Sequence, residues 1–161
     1  MISRNESSAM KRKVLVILIV LTLLFIWGNS LFDREHSAKE SGFVLELLTP
    51  VFEIFLGKGN VTEHFVRKLA HFSEFCVLGA ELLWFFSLKE AGKEELSFRV
   101  LLLSLTHSIL SALTDETIQI FSGRGPAIAD VWLDSAGAAS GILLAYLAIR
   151  IITTKQASDC P

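Results

Sequence analysis

The sequence is poor in cysteine and proline, with two and three respectively among 161 residues, and it has no excess of basic charge. Cys76 falls inside an apolar segment and Cys160 lies in the C-terminal tail, a spacing that supports neither a disulfide framework nor a zinc motif. The formal net charge is -2 at pH 7, and no stripe of Lys and Arg is interleaved with aromatic residues. A nucleic-acid partner therefore has no support.

The best-known catalytic signatures are missing as well. The sequence contains no G-x-S-x-G turn, no H-E-x-x-H pair, no P-loop and no G-x-G-x-x-G fingerprint. Each of these patterns positions the catalytic or cofactor-binding groups of one reaction class. Triad hydrolases, zincin proteases, nucleotide-driven enzymes and Rossmann oxidoreductases are therefore unsupported.

Apolar residues, in contrast, are abundant and occur in long blocks. Hydrophobic residues make up 52% of the chain, and the mean hydropathy is +0.52, which predicts one small integral membrane domain. The first block, residues 14–32, follows a basic run at residues 11–13, and roughly 19 residues at about 1.5 Å each cover a ~30 Å bilayer core. We predict a first span preceded by a cytoplasmic tail, residues 1–13. A signal peptide cleaved near residues 28–30 is the alternative.

Three further spans are predicted from the other apolar blocks, at about residues 67–88, 98–121 and 126–152. The segment from Phe43 to Leu56 is too short to span a bilayer and contains Pro50, so we predict a short interfacial helix there. The predicted fold is all-α: an integral membrane four-helix bundle with this interfacial helix between spans 1 and 2. Both termini, including the tail at residues 153–161, are predicted to be cytoplasmic.

Charged residues inside the predicted spans identify a candidate site. Such groups are tolerated in hydrocarbon mainly where they face the interior of a bundle or a water-filled cavity, which makes them functional candidates. Helical spacing places Arg67, His71 and Glu74 on one face of the second helix. The same rule groups Ser104, Ser108, Ser111, Asp115 and Gln119 on the third helix, and Asp130, Asp134, Gly137 and Gly141 on the fourth. We therefore predict that these three faces meet in one layer near the extracytoplasmic side.

Four residues are predicted to have structural roles. Gly137 and Gly141 form a small-xxx-small surface, which predicts close packing of the fourth helix. Glu81 and His107 both lie roughly 21 Å from the outer helix ends, and we predict a contact between them, direct or through water. The alternative is that Glu81 is bonded to a backbone carbonyl or a serine, while His107 is neutral and buried in the core.

Three motifs occur in order, each at a helix end. They are Arg67-Lys68-x-x-His71-Phe72-x-Glu74-Phe75, Asp115-Glu116-x-x-Gln119-x-Phe121-x-Gly123-Arg124 and Asp130-x-x-x-Asp134-x-x-Gly137-x-x-x-Gly141. Together they resemble the VanZ-like family of small membrane proteins. The resemblance covers Asn29 to about Tyr146, with Phe75 and Ser122 at positions where that family often has Tyr and Pro. It implies a polytopic protein of the cell envelope, and the name-giving member of the family is associated with low-level teicoplanin resistance.

Two functions are open at this point. In the first, the polar cluster binds the headgroup of a lipid or a lipid-linked cell-wall precursor, without turnover, and modulates susceptibility to glycopeptides of the teicoplanin type. In the second, the protein is a membrane enzyme with a divalent cation that acts on a lipid phosphate or precursor headgroup. Carboxylates and a histidine suit both cation binding and general acid and base catalysis. A transporter is disfavoured, because four short helices show no inverted repeat.

The candidate residues sort by their chemistry. The catalytic candidates are His71, Glu74, Asp115, Glu116, Asp130 and Asp134, and four of these, Glu74, Asp115, Asp130 and Asp134, are also the metal candidates. The ligand-binding candidates are Arg67, Lys68, Gln119 and Arg124. A guanidinium can hold a phosphate or a carboxylate in a bidentate manner, although Arg124 could instead form a bridge to Glu116 or Asp130.

Overall fold

The computed structural model describes residues 4–31, 49–50, 52–54, 57, 61–88, 96–122 and 127–158. Within these ranges the chain forms long α-helices and no strand. We number the helices α1 (Arg4–Leu31), α2 (Glu63–Ser87), α3 (Phe98–Phe121) and α4 (Ile128–Ser158). The prediction of an all-α protein is confirmed.

The helices extend beyond the predicted spans at several ends. α2 starts four residues earlier than predicted, because Thr62 caps it and its hydroxyl accepts a hydrogen bond from the Phe65 N–H at 3.2 Å. α4 continues to Ser158, well past the predicted end at Ile152. Hydropathy marks only the apolar part of a helix, whereas backbone hydrogen bonding continues into its polar ends.

Three helices are long and apolar enough to cross a membrane by length and composition. They are Ser8–Leu31, Glu63–Ser87 and Ile128–Lys155. α3 has 24 residues but is not one of the three; charged residues lie near both of its ends, and serine, threonine and histidine residues occur between them. These helices support a multi-pass membrane protein with three candidate spans in the described ranges, one fewer than predicted.

The closest helix contact joins α2 and α4. Gly137 lies against the backbone carbonyl of Phe72, and Gly141 lies against that of Cys76, while Gly79 of α2 makes a similar contact with the backbone of α4. A Cβ atom at any of these glycines would overlap the opposite backbone. Small residues allow membrane helices to approach in this way. Gly137 and Gly141 therefore lie in the contact between the two helices, and the order of the contacts shows that α2 and α4 run parallel.

α1 runs antiparallel to α2, as two hydrogen bonds between side chains show. Thr22 is bonded to Glu81, and seven residues later Asn29 is bonded to Glu74, which is seven residues earlier in α2. Apolar residues fill the space between the helices: Ile26, Phe75, Leu78, Leu82, Ala112 and Ala138 form one buried cluster. The end of α1, the start of α2, the end of α3 and the start of α4 therefore lie at one end of the protein, which we call the polar end.

Most of the predicted interfacial helix, from Phe43 to Leu56, lies outside the described residues. Residues 49–50 and 52–54 are helical. The ring of Phe52 packs edge-on against the ring of Phe65, with 5.5 Å between their centroids and 70° between their planes. This part of the connection therefore contacts the first turn of α2, next to the polar end.

Candidate functional site

The polar end gathers ionisable and amide side chains from all four helices. α2 carries the first sequence motif, α3 carries the second as far as Phe121, and α4 carries the third. Polar residues from all three motifs therefore meet in space. The residues are Asn29 from α1, Lys68, His71 and Glu74 from α2, Asp115, Glu116 and Gln119 from α3, and Asp130 and Asp134 from α4.

The centre of this cluster is a group of three residues from three helices. His71, Asp115 and Asp134 each offer one ligand-type atom, and these atoms all lie within 4.8 Å of one another. Asp115 is 0% exposed and Asp134 is 1% exposed. Such deep burial of two neighbouring carboxyl groups is costly in free energy unless each has a partner. We call these three residues the central triad.

Asp115 has one occupied oxygen and one free oxygen. The Nε2 of Gln119 donates a hydrogen bond to its Oδ2 at 2.8 Å, one turn further along the same helix. Its Oδ1 is buried and has no hydrogen-bond partner among the described residues. The same is true of Oδ1 in Asp134, which also lies within electrostatic range of the carboxyl groups of Asp115, Glu116, Asp130 and Glu74.

Glu74 lies between α1 and the central triad. Its Oε1 accepts a hydrogen bond from Nδ2 of Asn29 at 3.3 Å, and its Oε2 lies 3.7 Å from Nδ1 of His71, one turn earlier in the same helix. Glu74 is therefore hydrogen-bonded to α1, whereas its Oε2 and the Nδ1 of His71 lie close together but are both buried without a hydrogen-bond partner in the described part of the chain. Glu74 thus lies beside His71 and is not one of the three residues of the central triad.

Glu116, near the end of α3, connects this helix to the start of α4. Its Oε2 accepts a hydrogen bond from the backbone N–H of Ala127 at 3.0 Å, just before α4 begins. A carboxylate is favoured at this position because the start of a helix carries unpaired N–H groups and a partial positive charge. The bond fixes the end of α3 to the start of α4 and so brings Asp115 and Asp134 onto facing helices.

The outer part of the cluster contains an ion pair. Nζ of Lys68 lies 2.7 Å from Oδ1 of Asp130, and the two side chains are 36% and 30% exposed. Arg67, the preceding residue, is half-buried. We call Lys68 and Asp130 the mouth of the site. Arg124, the other predicted ligand-binding cation, lies outside the described residues.

The predicted contact between Glu81 and His107 is not observed as a direct hydrogen bond or ion pair in the described residues. Oε1 of Glu81 accepts a hydrogen bond from the Thr22 hydroxyl at 3.2 Å. Nδ1 of His107 lies 2.7 Å from the Leu103 carbonyl oxygen, and its ring packs on Phe86. His107 is exposed, because it lies about 60° around the helix from the buried position three residues earlier.

The serines of the α3 face are not part of the site. Ser104 and Ser108 are buried as the periodicity predicts, but their hydroxyls bond to the carbonyls of Val100 and Ser104 in their own helix. Ser111 likewise bonds to the carbonyl of His107. Hydroxyl groups that are satisfied within a helix allow polar residues to line a membrane interior at low cost.

Asn29 and Thr22 are the contributions that motif reasoning missed. Both lie on α1, which the sequence indicated only as a hydrophobic span. The available signal was a polar pair, Asn29 and Ser30, at the end of that span. Ser30 is fully buried at this end of the protein, and its hydroxyl has no hydrogen-bond partner among the described residues.

One of three comparisons with known proteins found a match. The family model described as VanZ/LLP1 matches residues 15–150. The matched range includes every residue of the central triad and of the mouth. Neither the comparison with curated proteins nor the comparison with solved structures found a match.

Proposed function

This chain belongs to the VanZ-like family, and from that premise we propose that it is a cell-membrane protein that binds the headgroup of a lipid-linked cell-wall precursor at its polar end. Both termini would be cytoplasmic, and the polar end would face the outer leaflet. Binding without turnover would place the protein at the step where glycopeptides of the teicoplanin type meet their target.

The observation that carries this proposal is a set of buried acceptors without donors. Asp115, Asp134 and Glu116 each have one carboxyl oxygen that is buried and has no hydrogen-bond partner among the described residues. Leaving one such atom unsatisfied costs about 1–3 kcal/mol. A headgroup with hydroxyl, amide and amine groups carries the donors that would satisfy these oxygens, whereas an alkyl chain does not.

The charges at the mouth complement the acidic interior. The ammonium of Lys68 lies at the partly exposed edge of the cluster, paired with Asp130, and the half-buried Arg67 precedes it in the first turns of α2. Cations there suit the phosphate groups that join a precursor headgroup to its lipid. A ligand with phosphate groups next to its lipid and hydrogen-bond donors further along its headgroup therefore matches both the cations near the mouth and the acidic interior of the site.

The test is direct binding in a defined membrane. The full chain in nanodiscs would be titrated with a lipid-linked amino-sugar pyrophosphate and, separately, with phosphatidylglycerol, an anionic lipid without sugar or amine. We expect selective binding of the first and, because a buried charged hydrogen-bonding group is worth about 1.5–3 kcal/mol, at least tenfold weaker binding for Asp115→Asn. Ser73→Ala is the matched control, since Ser73 is exposed and its hydroxyl bonds to its own helix. Equal binding of the two lipids would refute the proposal.

A cellular assay addresses glycopeptide susceptibility. Expression of the wild-type chain is expected to raise the minimal inhibitory concentration of teicoplanin, and expression of Asp134→Asn at the same membrane level is not. Immunoblotting of the membrane fraction controls for abundance. An unchanged inhibitory concentration with wild-type protein would separate precursor binding from resistance in this member.

The second candidate function is a metal-dependent enzyme that acts on a lipid phosphate or precursor headgroup. The convergence of His71, Asp115 and Asp134 favours it, because such donor sets also activate water for hydrolysis. Hydrolysis of the pyrophosphate bond by water would release a water-soluble sugar phosphate and leave the lipid phosphate in the nanodisc. Detection of that sugar phosphate in the same experiment would distinguish turnover from binding alone.

A further inference from the structure

We propose that the central triad, His71, Asp115 and Asp134, holds one divalent transition-metal ion, of the type of Mn²⁺ or Zn²⁺. The sequence had suggested four carboxylates as metal candidates. The structure selects two of them, Asp115 and Asp134, and adds the histidine. Metal binding can be measured without lipid substrate, so this inference is tested separately from the headgroup proposal. The ion would occupy the same Oδ1 atoms of Asp115 and Asp134, and a headgroup would then bind at the open position of the ion instead of donating hydrogen bonds to these two oxygens.

The geometry of the triad is close to that of a metal site. Its three donor atoms lie within 4.8 Å of one another. Ligand atoms that are each about 2.1 Å from one ion are separated by up to about 4.2 Å. Small rotations of the side chains would therefore be enough to bring the three atoms into one coordination sphere.

The unpaired carboxyl oxygens of the two aspartates support the same conclusion. Oδ1 of Asp115 and Oδ1 of Asp134 are buried without a hydrogen-bond partner among the described residues, and the two residues are 0% and 1% exposed. The nearby cation, Lys68, is engaged by Asp130 at 2.7 Å. A dication between the two carboxylates would supply both the partner and the positive charge that these two oxygens lack within the described ranges of the chain.

Two neighbours would hold the ligands in place. Gln119 occupies the second oxygen of Asp115, and Glu74 lies beside Nδ1 of His71. Amide and carboxylate groups behind the ligands are typical of metal sites, where they fix the orientation of the imidazole and the carboxylate. Glu74 and Gln119 are therefore positioning residues for the proposed ion.

The donor set indicates the class of ion and its use. Imidazole suits first-row transition metals and carboxylate suits harder ions, so a mixed set favours Mn²⁺ or Zn²⁺ over Ca²⁺. Three protein ligands leave at least one coordination position open. A phosphate oxygen or a water molecule is the ligand class that fits this position.

The test is the metal content of the full-length protein purified in detergent. The protein would be stripped with a chelator, dialysed against Mn²⁺ or Zn²⁺, freed of loose metal and analysed by mass spectrometry of the elements. We expect about one ion per chain in the wild type, because the three ligands form a single site. In Asp115→Asn and Asp134→Asn we expect the metal content to be near background. Glu63→Gln is the matched control, since Glu63 is exposed and outside the cluster.

A spectroscopic measurement keeps the test decisive if the variants do not fold. Wild-type protein loaded with Co²⁺ should show d–d absorption that is stronger than that of hydrated Co²⁺ and that disappears on adding EDTA. Metal far below one ion per chain in the wild type, or equal metal in Asp115→Asn, would overturn the proposal. A spectrum identical to that of hydrated Co²⁺ would overturn it as well. Because no lipid is present in these experiments, their failure would leave headgroup binding untouched.

Discussion

Gln119 donates a hydrogen bond from Nε2 to Oδ2 of Asp115 at 2.8 Å, one helical turn away, and both side chains are buried. The bond occupies one oxygen of the carboxyl group and leaves Oδ1 without a partner among the described residues. The amide of Gln119 thus fixes the carboxylate of Asp115, which is one of the three residues of the central triad. The pair links the second sequence motif to the proposed ion.

We expect Gln119→Met, which keeps the length of the side chain but removes the donor, to weaken metal binding by about 10–100-fold, as is usual when a group behind a ligand is lost. Titration of the stripped protein with Mn²⁺ measures the change. Thr117→Val, on the exposed side of the same turn, is the control, because its hydroxyl bonds to its own helix. Unchanged affinity in Gln119→Met would mean that the bond serves only the fold.

The contact of Gly141 with the backbone of Cys76 predicts a large effect of one methyl group. Gly141→Ala would place Cβ inside the carbonyl of the facing helix, and forcing the helices apart should cost at least about 1–3 kcal/mol. Gly28→Ala is a matched control, since nothing lies within 4 Å of the added atom, and a helical Gly→Ala exchange there should be neutral or stabilising by up to about 1 kcal/mol. Unfolding of both variants in mixed micelles provides the comparison. Equal stability of Gly141→Ala and wild type would contradict the observed helix contact.

The hydrogen bond between Thr22 and Glu81 predicts coupling between α1 and α2. Removing the hydroxyl in Thr22→Val leaves a half-buried carboxyl oxygen without its donor, at a cost of about 1–3 kcal/mol. Glu81→Gln, which keeps an acceptor, should be milder than Glu81→Leu. A double-mutant cycle with Thr22→Val and Glu81→Leu is expected to show a coupling of about 0.5–3 kcal/mol. Additive effects would indicate that the two residues do not interact, whereas His107→Leu should not alter the cycle.

The orientation of the protein is testable with reporter fusions. The basic run at residues 11–13 favours a cytoplasmic N terminus, so a fusion at Lys93 should report the cytoplasm and one near Gly59 should report the outside. Alkaline phosphatase and green fluorescent protein, which are active on opposite sides, give complementary readings. The opposite pattern would place the polar end, and with it the headgroup site, on the cytoplasmic face.

Much of the site could be predicted from the sequence because helical periodicity decides which residues share a face. The i, i+4, i+7 spacing placed His71 and Glu74 together, and the same rule placed Asp130 and Asp134 together. The structure keeps these groupings and brings the three faces to one end of the protein. Polar residues within a hydrophobic span must also find partners, so their presence alone predicted a shared layer.

Periodicity does not decide which residues of that layer become partners. Asn29 of α1 donates a hydrogen bond to Glu74, and Lys68 forms an ion pair with Asp130. His71 lies next to Asp115 and Asp134. These choices depend on the register and rotation of whole helices. The sequence assigns a side chain only to a face of its helix about 100° wide. Sliding one helix along another by one residue changes the neighbours of that side chain.

The sequence by itself therefore determined the helical class, the membrane character and the set of residues from which the site is drawn, since these follow from local patterns of apolar and polar residues. The tertiary structure decided the composition of the central triad and the outward position of His107. For α2 and α4 the physical reason is the contact of Gly137 and Gly141 with the backbone of α2, whereas the positions of Asp115 and His107 follow from the packing of α3 against these two helices. The glycine contact fixes the distance and register of α2 and α4, and it joins residues more than 60 positions apart in the chain.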